Sequence, residues 1–184
     1  MAAVIVVVLA VWVLTVLRRV RRSEANLTAS RRLLDVELTR RYDQTDALVA
    51  ATRAAGMDSD IVAPLAGARS LALGVRDQGL TLGDQAGSEN ALSVALHRVI
   101  AAATQDPNVK NDWTVGRPVL DLRTTEQRLA GAARVYNDHA GARNALLRGV
   151  GTGVIARILG ARPAPLFEAA HAEPAAELGE GAAV

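Results

Sequence analysis

The residue types that most often carry catalysis or bind metals are few in this chain and are not arranged for either task. Cysteine is absent, and His97, His139 and His171 include no pair in the H-x-x-x-H spacing that places two imidazoles on one helix face. The G-V-G-T-G stretch at residues 149–153 lacks a preceding strand and the Lys-Ser/Thr pair of a phosphate-binding loop. No serine stands in a G-x-S-x-G elbow. We therefore expect no enzymatic activity, no metal and no cofactor.

Polar residues interrupt an apolar heptad pattern in the last long helix, which is typical of a coiled-coil-like seam. The apolar residues are Leu122, Leu129, Tyr136 and Val150 at one heptad position, and Ala133, Ala140 and Leu147 at the other. Glu126 stands seven residues before Ala133, and Arg143 stands seven after Tyr136. Both charged side chains are therefore predicted to project toward the partner helices.

A buried charge needs a partner, and the first helix offers charged candidates. We predict a polar layer that sets the register of the helices or transmits a signal. Its predicted members are Arg40, Arg41, Tyr42, Asp43, Glu126, Tyr136, Asn137 and Arg143. The alternative is that the helix drifts by about 20° per heptad, so that these side chains reach water.

The N-terminal segment predicts a membrane anchor. Residues 1–17 carry no charge, and the next five contain four arginines, Arg18, Arg19, Arg21 and Arg22. A helix that crosses the ~30 Å hydrocarbon core needs about 17–25 apolar residues, and snorkelling arginines extend this run. A signal peptide would carry its basic residues before the apolar run. We therefore predict an uncleaved anchor over residues 1–22, with the remainder in the cytoplasm because positive charge is held inside.

Composition favours an all-α protein. Hydrophobic residues make up 50 % of the chain and aromatic residues only 3 %, with Ala, Leu and Val most frequent among the apolar types. The formal net charge is +2, and the basic surplus lies beside the anchor, where it favours anionic lipid headgroups. Nucleic acid is therefore not expected as a partner, whereas the lipid bilayer is.

Glycine and proline divide the chain into predicted helices. The first runs unbroken from the anchor to residue 55, and the second ends near residue 78. We predict a loop over residues 80–88, a third helix over 89–104, a fourth from about 119 to the glycines at 149–153, and a short apolar helix over 154–159. Residues 23–167 are predicted to form one bundle, and residues 168–184 a disordered acidic tail.

Six short motifs in register resemble one known family. They are L-T-R-R-Y-D at 38–43 with A-L-V at 47–49, E-N-A-L-S-V-A-L at 89–96, D-P-N-V-K at 106–110, T-E-Q-R-L-A at 125–130, A-R-V-Y-N at 133–137, and I-A-R-I-L-G at 155–160 with F-E-A at 167–169. The chain resembles the LemA family of bacterial membrane proteins. This implies an N-terminal transmembrane helix that continues into an antiparallel four-helix bundle with long helices, and it implies no particular activity. Arg143 and Asn144 stand where the family has a second Tyr-Asn pair.

These observations lead to three hypotheses of function. The first is a membrane-anchored scaffold or docking platform for other proteins, as yet unidentified, in the membrane or cytoplasm. The alternative is a homo-oligomeric structural or membrane-remodelling protein that assembles on anionic lipid. The third is an enzyme with a site between the helices. Binding of distinct proteins would favour the first, and self-association on lipid the second.

Overall fold

The computed structural model describes residues 1–169, which form five α-helices and no strand. The helices are α1 (Ala2–Ala54), α2 (Ser59–Asp77), α3 (Leu82–Gln105), α4 (Trp113–Arg148) and α5 (Val150–Ile158). The predicted all-α class is confirmed. The predicted acidic tail lies outside the described residues from position 170 onward.

Helix α1 is one continuous element of 53 residues, about 80 Å long at 1.5 Å per residue. It continues because residues 23–55 contain neither glycine nor proline. It ends at Gly56, whose φ of 77° suits a residue without Cβ. The Gly56 N–H donates to the Arg53 carbonyl and the Met57 N–H to the Thr52 carbonyl, so the last turn closes as a Schellman motif.

The first part of α1 has the character of a membrane span. Its apolar side chains between residues 4 and 14 are exposed, and the four arginines that follow them are exposed as well. Among residues 1–169, α1 alone is long and apolar enough to cross a membrane, judged by length and composition. This agrees with the predicted anchor.

Contacts divide the chain into two compact units. Unit 1 consists of Met1–Arg40 and Gln127–Phe167, and unit 2 contains Arg41–Glu126. The boundaries fall inside α1 and α4, so that each of these helices contributes residues to both units. The sequence predicts one bundle over residues 23–167, and these residues contribute to both units.

Each unit has its own buried apolar residues, at positions that follow helical periodicity. In unit 1 they include Leu34, Leu38, Leu129, Ala133, Tyr136, Ala140, Leu147 and Phe167. In unit 2 they include Leu48, Val62, Leu65, Leu92, Leu96, Val99, Val115 and Leu122. The predicted faces of α3 and α4 are therefore the buried ones, with one exception. Val150 is 95 % exposed because α4 ends at Arg148 and this valine begins α5.

Three predicted helix starts are wrong, and a side-chain cap explains the error for α3 and α4. Helix α5 begins at Val150 and not at residue 154, and it has no side-chain cap. Helix α3 begins at Leu82 and not at residue 89, because the Thr81 hydroxyl accepts the Asp84 N–H. Helix α4 begins at Trp113 and not near residue 119. There the Asp112 carboxylate accepts the Thr114 N–H at 2.8 Å, and Pro118 removes only one backbone hydrogen bond in the second turn.

Candidate functional site

A group of buried polar side chains in unit 2 links three helices, and we call it the buried ion cluster: Arg41, Tyr42, Glu89, Ser93 and Glu126. Arg41 donates from Nη1 to Glu89 Oε2 at 2.9 Å and from Nη2 to Ser93 Oγ at 2.7 Å. The Tyr42 hydroxyl donates to the other oxygen, Glu89 Oε1. Helix α1 thus supplies the cation and the phenol, and α3 supplies their acceptors.

Glu126 on α4 completes the cluster as an ion pair. Its Oε1 lies 2.7 Å from Arg41 Nε, but the two atoms are not aligned as a hydrogen bond. The Glu126 side chain is 18 % exposed, whereas that of Arg41 is 1 % exposed. The attraction between Arg41 and Glu126 is therefore mainly that of charge, and it reaches the edge of the core.

Burial governs the electrostatics of the cluster. It raises the pKa of Glu89. The Arg41 guanidinium and the Tyr42 hydroxyl act in the opposite direction and lower this pKa, whereas the Glu126 carboxylate raises it further. Burial, together with the neighbouring Glu89 charge, also raises the pKa of the Tyr42 phenol. One cation thus faces two carboxylates, and burial together with the Glu126 charge favours the protonated form of Glu89.

Two further arginines surround Tyr42 from α2. Arg69 donates from Nε to the Tyr42 carbonyl at 2.8 Å, and the Arg76 guanidinium lies 5.8 Å from the centre of the Tyr42 ring. Tyr42 therefore joins α2 to the helices that carry the ion cluster. Such an arrangement fixes helix register, since its charged and phenolic groups already have partners within the unit.

A second polar group lies in unit 1, and we call it the C-terminal clasp: Tyr136, Asn137, Arg143 and Asn144 of α4, which bind the backbone of residues 162–167. Asn137 exchanges two hydrogen bonds with Phe167, at 2.8 and 3.0 Å. Seven residues later, Asn144 exchanges two with Ala164, both at 2.8 Å. Each amide side chain thus satisfies both the N–H and the C=O of one residue in a segment without secondary structure.

Tyr136 and Arg143 extend the clasp. The Tyr136 hydroxyl donates to the Pro165 carbonyl at 2.9 Å, and Arg143 Nε donates to the Arg162 carbonyl at 2.8 Å. Arg143 also donates from Nη1 to the Glu24 carboxylate of α1. The clasp therefore ties the segment after α5 to α4, and Arg143 ties α4 to α1 within unit 1.

The eight residues of the predicted polar layer are thus not one layer. Arg41, Tyr42 and Glu126 meet in unit 2, whereas Tyr136, Asn137 and Arg143 bind the segment 162–167 in unit 1. Two predicted members belong to neither group. Arg40 pairs with Glu37 on its own helix at 2.9 Å. Asp43 is exposed because it stands two residues after the buried Arg41, about 200° around the helix.

Three residues of these groups are not among the predicted members of the polar layer: Glu89, Ser93 and Asn144. Glu89 stands three and seven residues before Leu92 and Leu96, on the face that was predicted to be buried. That spacing was a usable signal for a buried carboxylate. Asn144 gave a weaker one, since only its distance of seven residues from Asn137 relates the two.

Comparison with known proteins identifies a family. The profile of the LemA family matches residues 30–178, which is most of the chain. This span contains the buried ion cluster and the C-terminal clasp. No curated protein matches the chain. Within residues 1–169, no group of three or more His, Asp or Glu side chains is placed to hold a metal ion.

The raised pKa of Glu89 predicts an unusual pH dependence. Between the ordinary value of 4.5 and the raised pKa, the folded chain holds a proton that the unfolded chain has released. The contribution of Glu89 to stability is therefore full below pH 4.5 and is lost as the pH rises through the folded pKa. Glu89→Gln cannot titrate, so its unfolding free energy relative to wild type should increase across this window in denaturant titrations. Glu126→Gln leaves Glu89 in place and should keep the wild-type direction. A flat or opposite trend for Glu89→Gln would contradict the assignment.

The clasp predicts site-specific loss of protection in hydrogen exchange. The Phe167 amide donates to Asn137, and the Ala164 amide donates to Asn144. Asn137→Leu should accelerate exchange mainly at Phe167, and Asn144→Leu mainly at Ala164, as measured by NMR. Each variant serves as the control for the other. Equal acceleration at both amides in both variants would show that the segment opens as one piece, without separate contributions from the two asparagines.

Proposed function

The chain belongs to the LemA family and carries a helix of membrane-spanning length and composition, and from this we propose that it is a membrane-anchored, non-enzymatic scaffold or docking platform for other proteins. Both the family match and the long apolar helix α1 are consistent with membrane anchoring. The scaffold role is our proposal, and it is based on the surface of unit 2.

One observation carries the proposal. Trp113 is 73 % exposed at the start of α4, and Leu120, seven residues later on the same face, is exposed as well. Unit 2 completes its core without them, since Val115 and Leu122 supply the buried face of the same turns. Exposed tryptophan is enriched among the residues that dominate protein interfaces. The Trp113–Leu120 face is therefore the proposed docking surface for other proteins.

The buried ion cluster supports a non-enzymatic role. Arg41 and Glu89 are almost fully buried, and the groups that could react already bind one another. A catalytic group needs access to its substrate. The cluster is better suited to hold helices in register than to perform chemistry.

The exposed arginines beside the anchor favour the alternative function. Arg18, Arg19, Arg21 and Arg22 are all exposed on α1, where each would contribute about 1 kcal/mol of attraction to an anionic leaflet. Lateral assembly on such lipids would make the chain a structural or membrane-remodelling protein. The same arginines support our proposal that the chain crosses the membrane once and that the remaining chain lies in the cytoplasm.

Site-specific photocrosslinking distinguishes scaffold from self-assembly. A photoreactive phenylalanine at Trp113 or Leu120 should form adducts with distinct proteins in intact cells, whereas the same residue at Ala91, an exposed position on α3, should not. Mass spectrometry identifies the adducts. Adducts with only a second copy of this chain would favour the alternative. No adducts at Trp113 beyond those at Ala91 would contradict the docking surface.

Cysteine labelling tests the proposed orientation, because the chain has no cysteine of its own. Ala25→Cys and Ala91→Cys place thiols at exposed positions of unit 1 and unit 2. A membrane-impermeant maleimide should label neither site in intact cells and both after the membrane is permeabilised. Labelling of both sites in intact cells would place the two units outside the cytoplasm.

A further inference from the structure

Helix α5 packs directly against the membrane-spanning part of α1. Val16 and Val20 of α1 form a buried apolar cluster with Leu147 of α4 and Ala156 of α5. The two helices approach closely at Gly151, where an added Cβ would lie 2.7 Å from Cζ2 of Trp12. A side chain at this position would displace the Trp12 indole, so glycine permits the close approach.

The opposite face of α5 is apolar and has no partner in unit 1. Val150, Val154, Ile158 and the adjoining Leu159 are exposed, and the first three recur every four residues along one face. Because α5 packs against α1 at Trp12 and Val16, this face lies beside the exposed apolar side chains of the anchor. Exposed apolar patches of this kind mark interaction sites for membranes or proteins. The bilayer is thus the occupant that this face fits.

The position of α5 along α1 gives its depth. Gly151, near the start of α5, contacts Trp12, which precedes Arg18 by about 9 Å at 1.5 Å per residue. The end of α5 lies at the arginine level, because Leu159 and Arg162 line a pocket with Val20 and Arg21. The turn between α4 and α5 therefore lies on the hydrocarbon side of the arginines.

Two hydrogen bonds close the turn between α4 and α5, although the first turn of α5 has no side-chain cap at Gly149. Backbone groups must be satisfied internally in lipid, and the Gly153 N–H donates to the Gly149 carbonyl at 2.7 Å. The Thr152 hydroxyl donates to the Leu146 carbonyl at 2.8 Å. Arg148 and Arg157 are exposed, and their long side chains can extend to the headgroups while their stems remain in the apolar layer.

We propose that the end of α4 and α5 form a re-entrant helical hairpin, which inserts beside the anchor into the leaflet on the arginine side, with the Val150–Val154–Ile158 face against lipid acyl chains. The proposal rests on the membrane anchoring of α1 that the proposed function assumes. It adds a second lipid-embedded segment, far from the anchor in sequence, and does not depend on the scaffold role.

Depth-dependent fluorescence quenching tests this insertion in the full chain. Single cysteines at Val150 or Val154 are labelled with an environment-sensitive fluorophore, and the protein is reconstituted into phosphatidylcholine–phosphatidylglycerol vesicles that contain doxyl-labelled lipid. Leu9→Cys on the exposed face of the anchor reports anchoring itself. Val36→Cys is the aqueous control, since this valine is exposed to 54 %, compared with 56 % for Val154, but lies about 27 Å beyond Arg18 along α1.

The expected result is loss of fluorescence and a blue shift at Leu9, Val150 and Val154, with neither at Val36. Doxyl groups on the acyl chains should quench Val150 more strongly than a matched probe at Ile158, which is nearer the arginines. If the probe at Val154 behaves like the one at Val36 while the probe at Leu9 is quenched, the proposed insertion is wrong. In that case the anchor is still supported, and the exposed face of α5 is available to a protein partner. Absence of quenching at Leu9 would overturn anchoring and insertion together.

Discussion

A guanidinium that is 1 % exposed cannot be left without anionic partners, and this constraint on Arg41 organises unit 2. Breaking a buried pair by removing one partner costs about 3–5 kcal/mol, which is a large share of the ~5–15 kcal/mol stability of a typical domain. The two carboxylates that face Arg41 come from different helices, Glu89 from α3 and Glu126 from α4. A one-residue slip of α1 against either helix would remove one of these two partners, so the buried charge favours the observed register.

In unit 1, polar side chains hold a segment that has no secondary structure. Residues 162–167 cannot pair their backbone groups in a helix, and the clasp supplies partners from α4 instead. The two asparagines are seven residues apart, so they lie on the same face and reach successive parts of the segment. Buried Phe167 then anchors its end in the apolar core of the unit. Polar residues on the seam of α4 therefore serve backbone recognition as well as ion pairing.

Sequence reasoning could predict the helices and their buried faces, because these depend on local periodicity and on the positions of glycine and proline. It placed the starts of α3 and α4 too late, since the caps at Thr81 and Asp112 outweigh nearby glycine and proline. It also recognised that charges on α4 need partners, but not which ones. Arg41 and Glu89 are separated by 48 residues, and nothing local indicates that pairing. The contact between Gly151 and Trp12 is likewise determined by the tertiary fold alone.

The clasp also bears on the position of α5. This helix lies between the end of α4 and the segment that the clasp binds, so both of its ends are tied to α4. Arg143 adds an ion pair to Glu24, six residues after Arg18 on α1. A short helix with an exposed apolar face would otherwise be free to detach from the anchor and pack elsewhere. Fixing it at both ends keeps that face beside the anchor, which is where a hydrocarbon environment would make its exposure favourable.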